Sequence, residues 1–162
     1  MTPKEEFGHY LSGLTDGEGT FSLMIKPRRE PGLFKLSWRF VIGLREDDHL
    51  ILREIFRYFG CGKLSKVPRN HPRPNEKPQM RFSIENVFDH VVATLPHFDR
   101  FPLRAKKSAD YQVFRECVLF GNDVQNRVRK TPRGRRWMPA DYERFRQFKE
   151  RLEDVRRYKS PW

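Results

Sequence analysis

Apolar residues recur along this chain at two different spacings, helical in some stretches and alternating in others, and the switches between them mark its elements. Phe7, Leu11 and Leu14 share one helical face behind an acidic first turn, which predicts a helix over residues 4–15 ending at the glycine-rich Asp16-Gly17-Glu18-Gly19. From Thr20 to Arg28 the period becomes two: Phe21, Leu23 and Ile25 lie on one face, Ser22, Met24, Lys26 and Arg28 on the other. A turn at Pro31-Gly32 leads into a second alternating run, Phe34, Leu36, Trp38, Phe40 and Ile42 against Lys35, Ser37, Arg39 and Val41. The two runs read as a hairpin with a polar, basic outer face.

Asp47 or Asp48 can cap the next helix, whose stripe of Ile51, Leu52, Ile55, Phe56 and Phe59 ends at Gly60-Cys61-Gly62. Residues 63–67 and 79–84 read as a second hairpin, separated by the proline-rich PRNHPRPNEKP. A short helix around Val87, Val91 and Leu95 follows. Pro96 and Pro102 then bracket a turn before a longer helix to about Phe120. Residues 121–139, dense in Arg and Lys, read as a basic surface loop, and residues 140–158 as a final helix with Tyr142, Phe145, Phe148, Leu152 and Val155 on one side. The order is α, β, β, α, β, β, α, α, an α+β chain forming one domain over residues 1–162 with an antiparallel sheet.

A net charge of +12 and a pI near 10.1 point to a polyanionic partner, nucleic acid before membrane. Against a membrane, the sequence has no long apolar run, signal peptide or lipidation motif. Two cysteines, Cys61 and Cys117, make neither a disulfide framework nor a structural zinc site, which predicts a reducing, intracellular compartment. Histidines 9, 49, 71, 90 and 97 show no metal-ligand spacing.

Two places carry candidate chemistry. Asp16-Gly17-Glu18-Gly19 offers hard oxygen donors with glycines that let backbone approach an ion, although taken alone it is equally an ordinary capped turn. The second is the outer face of the hairpins: Ser22, Met24, Lys26, Arg28, Lys35, Ser37, Arg39, Ser65, Arg81 and Ser83, with Val41 and Val67 as its apolar members. Such a surface suits base edges in a DNA major groove, Met24 and Val41 meeting thymine methyl groups. Its alternative is a plain solvated sheet face.

Residues 11–19, LSGLTDGEG, resemble the signature of the LAGLIDADG homing endonucleases. FVIGLREDD at 40–48, Phe-Gly-Cys-Gly at 59–62 and FDRFPLRAKKSADYQVF at 98–114 resemble further landmarks, so the likeness spans roughly residues 5–118. The resemblance implies an αββαββα core whose sheet forms a DNA-binding saddle, with extra C-terminal helices. It implies a site-specific double-strand endonuclease in which Glu18 binds Mg²⁺, with Mn²⁺ or Ca²⁺ as substitutes in binding, Gly19 lends a carbonyl, and Lys106, or its neighbour Lys107, stabilises charge near the attacking water. One motif in the chain implies a homodimer on a palindromic or near-palindromic target, its seam formed by Leu11, Ser12, Gly13 and Gly17. For Ser12 and Gly13 the alternative is tight packing within one subunit. Asp16 reads as a cap at the helix end. Leu44 occupies the place where many relatives carry a Gln. The same scaffold also supports a non-cleaving binder, an intron RNA maturase or a DNA-binding regulator. By the same resemblance the host compartment is a bacterial cytoplasm or an organelle interior.

Overall fold

The computed structural model describes residues 1–69, 74–130, 137–157 and 159. Helix α1 (Pro3–Glu18) starts on a capping box, with Glu5 N–H donating to Thr2 Oγ1 and Thr2 N–H to the Glu5 carboxylate, and Pro3 in its first turn. It runs through the expected glycine-rich stop and ends only at Gly19. A Cβ at Gly19 would sit 2.5 Å from Thr15 Cγ2 and 2.8 Å from Thr15 O, so this tight exit into the sheet requires glycine.

Strands β1 (Gly19–Pro27) and β2 (Phe34–Arg45) form the first hairpin. A 3₁₀ turn at Glu46–Asp48 leads to α2 (His49–Phe59), which closes at Gly60 in the left-handed region with φ 67°. The expected aspartate cap of α2 is absent: Asp48 makes no side-chain bond to the helix, and Asp47 pairs with Arg45. Strands β3 (Lys63–Lys66) and β4 (Gln79–Ile84) complete a four-stranded antiparallel sheet in the order β1-β2-β4-β3.

Residues 87–100 form one helical run, α3 (Val87–Asp89), a π turn (His90–Thr94) and α4 (Leu95–Arg100), with Pro96 in the first turn of α4 where its missing N–H is tolerated. Helix α5 extends from Lys107 to Lys130, well past Phe120, so the first part of the expected basic loop is helix. Gly121 and Val124 are buried in that extension, and the absence of a Gly121 side chain admits the Trp38 ring. Residues 70–73 of the proline-rich segment, 131–136 of the basic loop and Tyr158 lie outside the described residues. Helix α6 (Pro139–Arg156) packs on α5.

All helices described gather on one side of the sheet. Phe21, Leu23, Trp38, Phe40, Ile42, Phe82 and Ile84 point towards them and meet Leu11, Leu52, Ile55, Phe98, Phe114 and Phe145 in a single core. The Phe21 and Phe40 rings stack at 5.2 Å, and each such fully buried Phe is worth roughly 1.5–3 kcal/mol. β4 pairs with β2 only from Phe40 to Arg45. Below that stretch, buried His90 donates from Nε2 to the Trp38 carbonyl at 2.9 Å.

Candidate nucleic-acid interface and motif helix

The alternation read in the strands holds in three dimensions. Register pairs Ser22 with Arg39, Met24 with Ser37, Lys26 with Lys35, Val41 with Ser83, and Ser65 with Arg81, so these residues share the sheet face turned away from the helices. Val67 follows β3 and stays paired through its N–H to the Gln79 carbonyl. Arg28 lies past the end of β1 and lines an aromatic cleft with Phe34, Trp38, Trp137 and Tyr142 at the hairpin's margin. Arg81 Nε donates to Ser65 Oγ at 3.2 Å. Ser83 is 1% exposed, so it contributes little surface, and its hydroxyl has no hydrogen-bond partner among the described residues. Leu44 pairs with Met80 and packs on the core, so its side chain belongs to the helix-covered face and not to the polar one.

Helix α1 delivers its motif to one edge of this surface. Leu11 is 0% exposed and Ser12 is 5% exposed, the Ser12 hydroxyl donating to the Phe101 carbonyl at 2.6 Å. Both side chains therefore face the chain's own interior. Gly13 and Gly17 are exposed, and a Cβ added at either would meet nothing within 4 Å. Tyr10, 50% exposed, lies on the same side of the helix.

The His97 ring closes a buried relay. Its Nε2 lies 3.3 Å from Ser12 Oγ and its Nδ1 3.0 Å from the Tyr58 hydroxyl. Ser12 spends its proton on Phe101, so Nε2 donates to Ser12 and Tyr58 donates to Nδ1. Burial pushes the ring's pKa down to about 4.

At the C-terminal end of α1, Asp16 Oδ2 accepts from the Arg104 and Ala105 backbone N–H groups at 2.9 and 3.2 Å. Asp16 thus caps the turn leading into α5, not its own helix. Lys107 Nζ donates to the Asp16 and Gly17 carbonyls at 3.0 and 2.9 Å, which offsets the negative end of the helix dipole. Lys106 Nζ instead faces the carbonyls of Arg156 and Arg157 at the end of α6, at 3.5 and 3.4 Å. Of the two lysines weighed from sequence, the fold brings Lys107 to the motif.

Glu18 ends α1 exposed, and its carboxylate has no hydrogen bond or ion pair among the described residues. The donors at this end are oxygens, the Glu18 carboxylate and the Gly19 carbonyl, which suit a hard divalent cation. Among the described residues no three His, Cys, Asp or Glu side chains converge on a metal position. Arg156 ties α6 to the same end of the molecule, bonding Asp110 Oδ2 at 2.7 Å and the Phe21 carbonyl. Sequence reading missed this brace because its partners lie far apart in the chain. No helix among the described residues is long and apolar enough to cross a membrane.

A family model described as LAGLIDADG endonuclease matches residues 11–118. Among curated relatives, the homing endonuclease I-ApeII of Aeropyrum pernix is 27% identical over 110 residues, covering 68% of this chain and 61% of that protein. A probable intron-encoded endonuclease of Neurospora crassa is 22% identical over 127 residues, covering 78% and 25%. The crystal structure of the I-SmaMI LAGLIDADG homing endonuclease bound to cleaved DNA superposes with a TM-score of 0.73 at 19% identity, covering 92% of this chain and 44% of that one. The chain thus spans between about a fifth and three fifths of the length of the curated relatives it matches, and the likeness to solved structures is one of fold.

Proposed function

Since the chain belongs to the LAGLIDADG endonuclease family, we propose that it is a site-specific DNA endonuclease acting as a homodimer on a palindromic or near-palindromic target. The observation that carries this reading is the placement of Glu18: an exposed carboxylate, without a partner among the described residues, where a helix with bare Gly13 and Gly17 meets a basic sheet face. Two copies of α1 packed along their glycines bring two Glu18 carboxylates together at a two-fold axis, and each sheet then lies along one half of the duplex. A divalent metal, Mg²⁺ by its hard-oxygen donors, would be held by Glu18 and the Gly19 carbonyl, polarising the phosphate and lowering the pKa of bound water.

The chain's own residues supply the rest. Lys26, Lys35 and Arg81 attract and register the backbone, and Ser22, Ser37 and Arg39 face base edges. Lys107, held at the end of α1, stands where negative charge develops on the phosphate during hydrolysis. Asp16 fixes the Arg104–Lys107 turn and so the position of that ammonium.

The test compares wild type with Glu18→Gln on a randomised palindromic duplex library, scoring cut ends and bound, uncut duplexes with and without Mg²⁺. Metal-dependent cutting lost in the variant, with binding retained, supports the proposal. Cutting at the wild-type rate by Glu18→Gln overturns the metal site. Specific binding without cleavage by the wild type assigns the chain instead to a nucleic-acid binder.

A further inference from the structure

Glu85 stands one residue past β4, on the same parity as Arg81 and Ser83, and so on the polar face of the sheet. A carboxylate on a surface that meets phosphates is repelled by its own ligand unless a cation neutralises it. Two do so: Glu85 Oε1 lies 3.3 Å from Arg39 Nε and 3.3 Å from Lys63 Nζ. Together with Met24, Lys26, Lys35 and Ser37, Arg39 and Glu85 line a cleft of about 220 Å³.

The cluster is not self-sufficient. Arg39 Nε is buried and, although within ion-pair range of Glu85, makes no hydrogen bond among the described residues; Ser83 Oγ on the neighbouring strand is likewise buried and without a partner among them. Arg39 Nη1 reaches only the Met24 thioether, a weak acceptor, at 3.5 Å. Burial closes Nε itself off from a ligand, so the part of this arginine that can meet a ligand's acceptors is its terminal amino groups.

We propose that Arg39 reads a guanine through the major groove and that Glu85 is the residue that positions it. This rests on the DNA-endonuclease reading above. With Glu85 attracting the Nε side of the guanidinium, its terminal amino groups, held only by the weak Met24 thioether acceptor, are the donors left for a base. Guanine alone presents two acceptors, O6 and N7, at matching spacing; adenine and cytosine set a donor in the way, and thymine offers one acceptor beside a methyl group. Arg39 pairs with Ser22, four residues from Glu18, and lies two same-face pairs inward of Lys26 and Lys35 near the hairpin tip. The guanine therefore falls in the inner part of each half-site, once per half-site by symmetry.

The experiment selects bound duplexes from a randomised palindromic pool with wild type, Arg39→Lys and Glu85→Gln, thermal melts confirming that each protein is folded. Wild type enriches guanine at an inner position. Arg39→Lys keeps the charge, loses the planar fork, and reduces that preference roughly 5- to 100-fold. Glu85→Gln keeps the shape, removes the charge, and weakens preference at the same position and no other. A wild-type motif that neither variant alters overturns the assignment while leaving the endonuclease reading intact. A preference lost in Arg39→Lys and unchanged in Glu85→Gln overturns the positioning role. A wild type that enriches no sequence overturns the endonuclease reading and this inference with it.

Discussion

Replacing Gly13 by Ala pushes the isolated chain and the proposed dimer in opposite directions. In one chain an added Cβ at Gly13 meets nothing within 4 Å, and the residue sits well inside α1, so the methyl group costs no packing and removes glycine's excess backbone freedom. Alanine gains about 0.5–1 kcal/mol in a helix interior. For a chain of this size that raises the melting temperature of the monomer by about 1–4 °C. Across a two-fold seam the same methyl appears twice, between helices that glycine lets approach. Overpacking costs about 1–3 kcal/mol per site, or about 2–6 kcal/mol per dimer, which weakens association by roughly thirtyfold or more. The assay pairs fluorescence melts at a concentration where both proteins are monomeric with sedimentation and cleavage at higher concentration, because dimerisation itself raises apparent stability. A variant that dimerises and cuts like wild type refutes the seam, and one whose monomer melts lower refutes the claim that this position faces open space.

Three further outcomes are expected. Gly121→Ala drives a methyl group into the Trp38 ring and lowers stability by about 1–3 kcal/mol, seen as a lower urea midpoint at unchanged m value; an unchanged midpoint contradicts the packing described. Burial holds both His90 and His97 down to about pKa 4, so the unfolded chain binds more protons than the folded one between pH 6.5 and 4; stability falls as pH drops through that window, by up to about 3 kcal/mol per ring, and a urea midpoint unchanged from pH 6.5 to 4.5 excludes it. Lys107→Met reduces single-turnover cleavage far more than Lys106→Met; the reverse order places the charge-stabilising ammonium at Lys106.

The sheet was legible from sequence because period two leaves no choice of face: once Phe21 and Phe40 are inside, Ser22 and Arg39 are outside. Running the same parity one step past β4 would have found Glu85. Helix ends were less legible. Gly17 read as part of a stop and Gly121 as the start of a basic loop, yet α1 runs on to Glu18 with Lys107 on its terminal carbonyls, and α5 runs on past Gly121, which admits Trp38 from a distant strand. Both causes lie in tertiary partners that local propensity does not contain. The same holds for Ser12, whose hydroxyl is spent on a carbonyl 89 residues away. The family signature marked the right helix without telling which of its faces turns inward.

The bond from His90 to the Trp38 carbonyl concerns solubility as well as pH. β2 outruns β4, and an uncovered strand margin is a template on which a stray strand can add. His90 plugs that margin with a side chain where a neighbouring backbone would otherwise sit. Protonation leaves the donating nitrogen in place, but charging a ring shut in the interior favours its expulsion, and the margin then opens. Because burial holds the ring's pKa down to about 4, the plug stays neutral and seated through mildly acidic conditions, and only acid near that value favours opening the ledge to another strand.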